Sequence, residues 1–209
     1  WDKSANGAHE VRGKTLGIVG LGNIGSQLAV LAEAMGMRVI YYDLSDKLRH
    51  GNVEPAESLN SLLARSDVVS LHVPETPETQ DMIRAEQIAS MKPGAFLINN
   101  ARGTVVDLAA LADALRTNHL GGAAIDVFPK EPTSNNEKFE TPLQNLPNVI
   151  LTPHIGGSTE EAQENIGAEV ARKLVDYCDV GSTHGAVNFP QVQLPTRPNG
   201  TRFIQMHHN

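Results

Sequence analysis

Cysteine is almost absent from this sequence. Cys178 is the only one among 209 residues, so the chain can form no internal disulfide bond. This scarcity is typical of proteins of the reducing cytoplasm, where we expect the protein to be found. Basic residues are outnumbered as well, since 17 Lys and Arg against 24 Asp and Glu give a formal net charge of -7. We therefore expect no nucleic-acid partner.

Long apolar runs are also missing. No stretch approaches the roughly 20 apolar residues that cross a bilayer, so we expect no membrane partner. No signal-peptide pattern opens the chain, which begins at Trp1 rather than Met, and we expect the true N-terminus to lie upstream. Hydrophobic residues nevertheless make up 40% of the chain, which suits a globular protein with a core.

The most informative stretch is KTLGIVGLGNIG at residues 14–25. A largely apolar run ends at Gly20, and Gly22 and Gly25 complete the spacing G-x-G-x-x-G before a helical pattern. The first glycine of such a turn permits a tight bend, the second admits a pyrophosphate, and the third allows close packing of helix on strand. The helix that follows offers its N-terminal amides to phosphate. We predict a dinucleotide site at this turn and at the start of the helix.

An acidic residue ends the second apolar run. Asp43 follows RVIYY, at the position where a carboxylate accepts hydrogen bonds from the hydroxyl groups of an adenosine ribose. Its charge also repels a 2′-phosphate. The sequence therefore predicts NAD as the cofactor rather than NADP, and we predict no metal site.

Six short apolar runs alternate with helical patterns through most of the chain. The predicted strands are residues 14–19, 38–42, 67–73, 95–99, 120–127 and 148–152. This alternation predicts an α/β fold with a doubly wound, Rossmann-type parallel sheet. Right-handed connections place the carboxyl ends of all parallel strands at one edge, where ligands bind.

Chemically active residues follow several of these runs. Asn100, Ala101 and Arg102 follow the fourth strand, Asp126 lies at the end of the fifth and Glu131 comes shortly after it. His154 follows the sixth. Singly, such residues are most often solvated or act as caps. Because the fold brings these strand ends together, we interpret them as parts of one site.

Arg102, Glu131 and His154 together suit the oxidation of a 2-hydroxy acid. An imidazole titrates near neutrality, so His154 can take the hydroxyl proton as hydride leaves for a nicotinamide. A carboxylate beside the ring orients it and favours the imidazolium, which is the role predicted for Glu131. Arg102 can hold a substrate carboxylate by a forked pair of hydrogen bonds. His72, by contrast, lies inside a predicted strand, and we predict a packing role for it.

The pattern changes after His154. Ser158 and Glu161 read as a capping box that opens a helix running to about Tyr177. Gly156 and Gly157 precede it as a predicted hinge. The predicted organisation is a dinucleotide-binding domain at 1–157, a segment of a second domain at 158–190, a linker at 191–200 and the start of a further domain at 201–209.

The motifs GLGNIG, YYD, LHVPET, MKPGAFLINNARGTVVD, GAAIDVFPKEP and NVILTPHIGGSTEEAQENIG resemble those of the D-isomer-specific 2-hydroxy acid dehydrogenases. The resemblance runs from about residue 11 to 190. It implies an NAD-dependent dehydrogenase in which Arg102 binds substrate, Glu131 tunes the histidine and His154 is the acid/base. Besides the glycines of the turn, Gly20, Gly22 and Gly25, it assigns cofactor contacts to a larger set: Asn23, Ile24, Asp43, Asn100, Ala101, Asp126, Gly156 and Gly157. Many relatives have Ser where this chain has Ala101, a change that backbone contacts would tolerate.

The resemblance also implies parts that this sequence lacks. The family begins with a substrate domain of roughly a hundred residues, of which 158–190 would be the returning segment. A small regulatory domain would follow the linker, with His207 and Asn209 at effector-binding positions. We expect a homo-oligomer. Two alternatives stay open, a dehydrogenase for another 2-hydroxy acid and a non-enzymatic NAD(H)-sensing regulator of the same fold.

Overall fold

The structure is a computed structural model that describes residues 3, 8–48, 50–187, 189–193, 203–205 and 207. The chain forms two compact units, Trp1–Pro153 and His154–Asn209. The described part of the first unit holds a parallel sheet flanked by helices. The second is built on one long helix.

The sheet of the first unit has seven strands in the order β3-β2-β1-β4-β5-β6-β7, and every neighbouring pair is parallel. The strands are β1 Thr15–Val19, β2 Arg38–Tyr42, β3 Glu54–Pro55, β4 Val68–Leu71, β5 Phe96–Asn99, β6 Gly122–Ile125 and β7 Val149–Leu151. The doubly wound α/β sheet predicted from the sequence is confirmed.

Four α-helices flank this sheet in the described part of the unit. They are α1 Asn23–Ala34, α2 Leu59–Arg65, α3 Ala85–Ser90 and α4 Leu108–Arg116, and a 3-10 turn covers Gly103–Val105. The connection through α1 runs in one direction across the sheet, and those through α2, α3 and α4 run in the other. Right-handed crossovers therefore place α1 alone on one face of the sheet, which we call the α1 face, and the other three helices on the opposite face.

Each face has its own apolar core. On the α1 face, Leu16 and Ile18 of β1 pack with Ala29 and Ala32 of the helix. The opposite face holds the larger cluster, which includes Leu62, Leu63, Val69, Leu71, Ile88, Leu97, Leu111, Leu115 and Ile125. Strand side chains alternate between the two clusters, as the period of two in a strand requires.

The second unit is built on α5, Glu160–Val180. Its N-cap is Thr159, whose hydroxyl accepts a hydrogen bond from the amide of Ala162 at 3.1 Å. The helix ends at Gly181, which has a φ of 62°, a left-handed conformation that suits glycine at a helix end. Beyond it, Thr183 and Val192 bond in both directions: the amide of Thr183 donates to the Val192 carbonyl at 2.9 Å, and the amide of Val192 donates to the Thr183 hydroxyl at 2.7 Å.

Four sequence predictions need correction. Residues 54–55, which lie outside the six predicted strands, form β3, a two-residue strand that pairs with β2 at the sheet edge. The third predicted strand ends at Leu71 rather than at residue 73. The N-cap of α5 is Thr159 rather than Ser158, and the helix continues past Tyr177 to Val180.

The predicted C-terminal elements are only partly covered. Most of the predicted linker at 191–200 and most of 201–209, Asn209 included, lie outside the described residues. Val192, at the start of that linker, is bonded to Thr183. Among the described residues of the predicted further domain, 203–205 and 207, no strand is present. No helix in the described part of the chain is long and apolar enough to cross a membrane.

We predict that Leu97→Ala lowers the free energy of unfolding by about 2–5 kcal/mol, because it removes a fully buried side chain from the middle of the sheet (0% exposed). Urea denaturation followed by circular dichroism measures the change. Leu48→Ala is the matched control, since that side chain is 96% exposed, and it should change the free energy by less than about 0.5 kcal/mol. Equal losses for the two variants would contradict the assignment of the core.

Candidate functional site

The glycine turn between β1 and α1 is shaped by close backbone contacts. Gly20 has a φ of 95°, and a Cβ there would lie 2.7 Å from the carbonyl oxygen of His72. A Cβ at Gly25 would lie 2.2 Å from the carbonyl oxygen of Gly20, so the helix starts directly against the turn. Around Gly22 nothing lies within 4 Å of such an atom. The first and third glycines are thus needed for packing, whereas the second leaves backbone open to a ligand.

The start of α1 faces the same edge of the sheet. Its N-cap is Gly22, which has no side chain to bond the first amides of the helix. Asn23 is exposed and Ile24 is 67% exposed. Amides at a helix N-terminus, next to a turn without side chains, form a cradle that fits a pyrophosphate. These residues are therefore suited to hold the diphosphate of a dinucleotide.

Asp43 is fixed at the end of β2 by the backbone around it. Its Oδ2 accepts from the amide of Leu21 at 2.9 Å, and its Oδ1 accepts from the amide and hydroxyl of Ser45 at 3.0 and 2.9 Å. Burial raises the pKa of Asp43, but these hydrogen bonds and the charge of Lys47 outweigh it, so the pKa lies below its ordinary value. The carboxylate is ionised at neutral pH, as its predicted role requires.

The turn after β5 is organised by a side chain that the sequence analysis did not single out. Asn99 is 0% exposed. Its Oδ1 accepts from the amide of Ala101 at 3.0 Å, and its Nδ2 donates to the carbonyl of Arg102 at 3.1 Å. The Ala101 carbonyl accepts from Nη1 of Arg102 at 2.7 Å. The Ala101 amide is thus already committed, while the guanidinium of Arg102 keeps further N–H donors for a substrate carboxylate.

The turns after β5 and β6 are in direct contact. A Cβ at Gly103 would lie 1.9 Å from the carbonyl carbon of Phe128, so only glycine allows this approach. The amide of Phe128 in turn donates to Oε1 of Glu131 at 2.9 Å. The structure therefore brings the loop that carries Arg102 against the loop that carries Glu131.

Asp126 follows β6 directly. Its Oδ1 accepts a short hydrogen bond from the hydroxyl of Thr152, which follows β7. The ends of β6 and β7 are thus linked at the same edge of the sheet. In the sequence, Thr152 gives no signal beyond its place two residues before His154.

His154, Gly156 and Gly157 belong to the second unit. The backbone of His154 has a φ of 53°, an uncommon conformation for a residue other than glycine. The segment closes on itself through a hydrogen bond from the amide of Ser158 to the carbonyl of Ile155 at 2.9 Å. The arrangement of His154 with Arg102 and Glu131 stays a prediction.

A separate groove of about 1190 Å³ lies on the α1 face. It is lined mainly by α1 and by strand residues of that face, and of the predicted site residues only Ile24 and Asn100 line it. His72 follows β4 and lines this groove, with its Nε2 2.8 Å from the hydroxyl oxygen of Ser70. Burial lowers the pKa of His72 below its ordinary value, so the ring is neutral at physiological pH. This environment supports the predicted packing role.

Comparison with known proteins now adds the family. Residues 1–156 match the family model described as D-isomer specific 2-hydroxyacid dehydrogenase, NAD binding domain. A protein of Haemophilus influenzae named D-3-phosphoglycerate dehydrogenase is 59% identical over 209 residues, which is 100% of this chain and 51% of that protein. The chain thus spans about half the length of the curated relatives it matches.

Solved structures give the same result. A D-isomer specific 2-hydroxyacid dehydrogenase from Lactobacillus delbrueckii, in its NAD-complexed form, aligns with a TM-score of 0.76 and 32% identity, over 86% of this chain and 58% of that one. A D-lactate dehydrogenase from Aquifex aeolicus, complexed with NAD and lactic acid, aligns with a TM-score of 0.74 and 36% identity, over 85% and 57% of the two chains. The chain belongs to the D-isomer specific 2-hydroxyacid dehydrogenases, and its first 156 residues match their NAD-binding domain.

Proposed function

We propose that the full-length protein is an NAD-dependent D-3-phosphoglycerate dehydrogenase, which oxidises 3-phosphoglycerate to 3-phosphohydroxypyruvate in the first step of serine biosynthesis. One observation on the structure of this chain supports the proposal. The glycine turn, Asp43, the Arg102 turn and the Glu131 loop all lie at the carboxyl edge of one parallel sheet. The relative from Haemophilus influenzae supports the choice of substrate.

The proposed mechanism divides the work among three side chains. Arg102 binds the substrate carboxylate through the N–H donors that its bond to Ala101 leaves over. His154 takes the proton of the C2 hydroxyl group, and Glu131 orients the imidazole and stabilises its charged form. Bound NAD would supply the hydride acceptor for C2. Gly20, Gly22, Asn23, Ile24, Gly25, Asp43, Asn100, Ala101, Asp126, Gly156 and Gly157 are the proposed cofactor contacts.

The proposed organisation of the longer protein keeps residues 1–157 as the dinucleotide-binding domain and 158–190 as the returning segment of a substrate domain. The division of the chain into compact units after Pro153 supports a boundary in this region. A linker and a regulatory domain would follow, with serine as the proposed effector at His207 and Asn209. We place the protein in the cytoplasm, because its single cysteine suits a reducing compartment.

The full-length protein should oxidise NADH in the presence of 3-phosphohydroxypyruvate, and His154→Ala should lower kcat by about 10²–10⁴-fold, because a positioned acid/base contributes that much. The Kd for NADH should change far less. Glu131→Gln should move the pH profile of kcat to lower pH, since the imidazolium loses a stabilising charge. Stopped-flow assays across pH measure kcat, the Kd for NADH and the pH profile, and their repetition with L-serine tests the proposed effector.

His72→Gln is the control for these variants, since that imidazole lies in the groove of the α1 face and should leave the pH profile in place. A loss of less than tenfold in His154→Ala, with chemistry rate-limiting, would remove that residue from the acid/base role. Turnover of another 2-hydroxy acid in preference to 3-phosphoglycerate would favour a different dehydrogenase. Absence of any turnover would favour an NAD(H)-sensing regulator.

Asp43 should make the protein prefer NADH to NADPH by at least about tenfold, or 1.4 kcal/mol, because its ionised carboxylate opposes a 2′-phosphate. Asp43→Ala should narrow that gap. Isothermal titration calorimetry with both cofactors tests it, with Asp46→Ala as the matched control three residues further along the chain. Equal affinities of the unaltered protein for the two cofactors would contradict the role of Asp43.

We further propose that the protein is a homo-oligomer. Parallel sheets occur with both faces covered, yet the described residues of 1–153 leave exposed apolar side chains along the groove of the α1 face, among them Ile24, Leu31, Met35 and Phe96. We propose that a second copy of the protein covers this groove. Light scattering should give a multiple of the monomer mass, and Leu31→Glu should reduce it, whereas Leu44→Glu should not. A monomeric full-length protein would contradict this.

A further inference from the structure

Lys47 is a charged residue beside the adenosine end of the proposed site, and the mechanism above gives it no role. Its Nζ lies 3.6 Å from Oδ1 of Asp43, one helical turn's spacing away in sequence. The Lys47 side chain is 33% exposed and that of Asp43 is 14% exposed. Ion pairs this accessible add little to stability, so folding alone does not explain the pairing.

Lys47 is not needed to orient the Asp43 carboxylate. Oδ1 already accepts two hydrogen bonds from Ser45, which fill its two lone pairs, and Oδ2 accepts one from Leu21. The remaining lone pair on Oδ2 is the one left for a ribose hydroxyl group. Lys47 therefore adds positive charge beside the carboxylate and is not required to orient it.

The loop that carries Lys47 is anchored to the outer side of α1. Nε2 of His50 lies 3.2 Å from the carbonyl oxygen of Ser26 and donates to it. The amide of Asn52 donates to Oε1 of Glu33 at 2.7 Å. Together with the bonds of Asp43, these contacts fix both ends of the loop. The backbone of Lys47 is therefore held near the Asp43 carboxylate, and its ammonium group lies 3.6 Å from that carboxylate.

NADP differs from NAD by a phosphate on the ribose 2′-oxygen, which carries a charge of about −1.5 to −2 at neutral pH. That phosphate would occupy the space in which Asp43 accepts the 2′-hydroxyl group, within reach of Lys47. The two side chains act on it with opposite sign.

We propose that Lys47 is a second specificity-determining residue: its ammonium group attracts a 2′-phosphate, and the charge of Asp43 opposes that attraction. The inference rests on the proposed adenosine site at Asp43. NADP is then rejected by one carboxylate and not by the lack of a cation. Removing the charge of Asp43 is then enough to let Lys47 bind the 2′-phosphate.

The test is a double-mutant cycle in the full-length protein, with Kd values for NADH and NADPH measured by calorimetry. The variants are Asp43→Asn, Lys47→Met and both together. Asp43→Asn should tighten NADPH binding at least roughly tenfold, and most of this gain should vanish when Lys47→Met is added. Lys47→Met alone should weaken NADPH binding about threefold, lower its salt dependence and leave the Kd for NADH within about twofold.

Lys92→Met is the matched control, because Lys92 also forms an ion pair with an Asp, 2.9 Å from Asp67. Asp67 precedes β4 and so lies at the amino edge of the sheet, away from the proposed cofactor site. The variant should change neither Kd. A gain in Asp43→Asn that survives Lys47→Met in full would overturn the role of Lys47 while leaving that of Asp43 intact. No gain in Asp43→Asn would overturn both. If Asp43→Asn does not fold, unchanged NADPH binding by Lys47→Met alone would overturn the inference.

Discussion

The parallel pairing of β1 on both of its sides is the constraint on which the rest of the structure depends. β1 bonds β2 along one side and β4 along the other. The ladder continues past the strand ends, through hydrogen bonds from Gly20 to Tyr42 and from His72 to Val19. Because all three strands end together, the glycine turn comes within hydrogen-bond distance of Asp43. A slip of β1 by one residue would turn its apolar side chains to the wrong faces and separate these groups.

The sequence predicts elements well where apolar runs are bounded by glycine, proline or a charged residue. β1, β2 and the start of α1 lie where expected, since GLGNIG and Asp43 mark their ends. β3 was missed because two residues are too few to show a period. The capping-box pattern predicted Ser158 as the N-cap of α5, because Glu161 follows it by three residues. In the structure the N-cap is Thr159, whose hydroxyl accepts a hydrogen bond from the amide of Ala162. Adjacent hydroxyl residues compete for one role, and the sequence does not rank them.

For the candidate site as well, the sequence predicts some features and not others. Which residues follow each strand can be read from the sequence, so the glycine turn, Asp43, Arg102 and Glu131 could all be predicted to lie at one edge of the sheet. The contacts that hold them could not. Gly103 and Phe128 are in contact because the backbones of two loops approach each other. The side-chain amide of Asn99 bonds the backbone of Ala101 and of Arg102, and so stabilises the turn in which it lies. Such contacts depend on three-dimensional position, for which residue type and spacing carry no signal.

Contact between Gly103 and Phe128 also limits how this region can move. The Arg102 turn is stiffened from within by Asn99 and pressed on its other side against the residue whose amide holds Glu131. Because the two backbones are in contact, neither loop can move towards the other without displacing it. If Arg102 binds a substrate carboxylate, as proposed, it does so from a turn whose neighbouring loop is already in place.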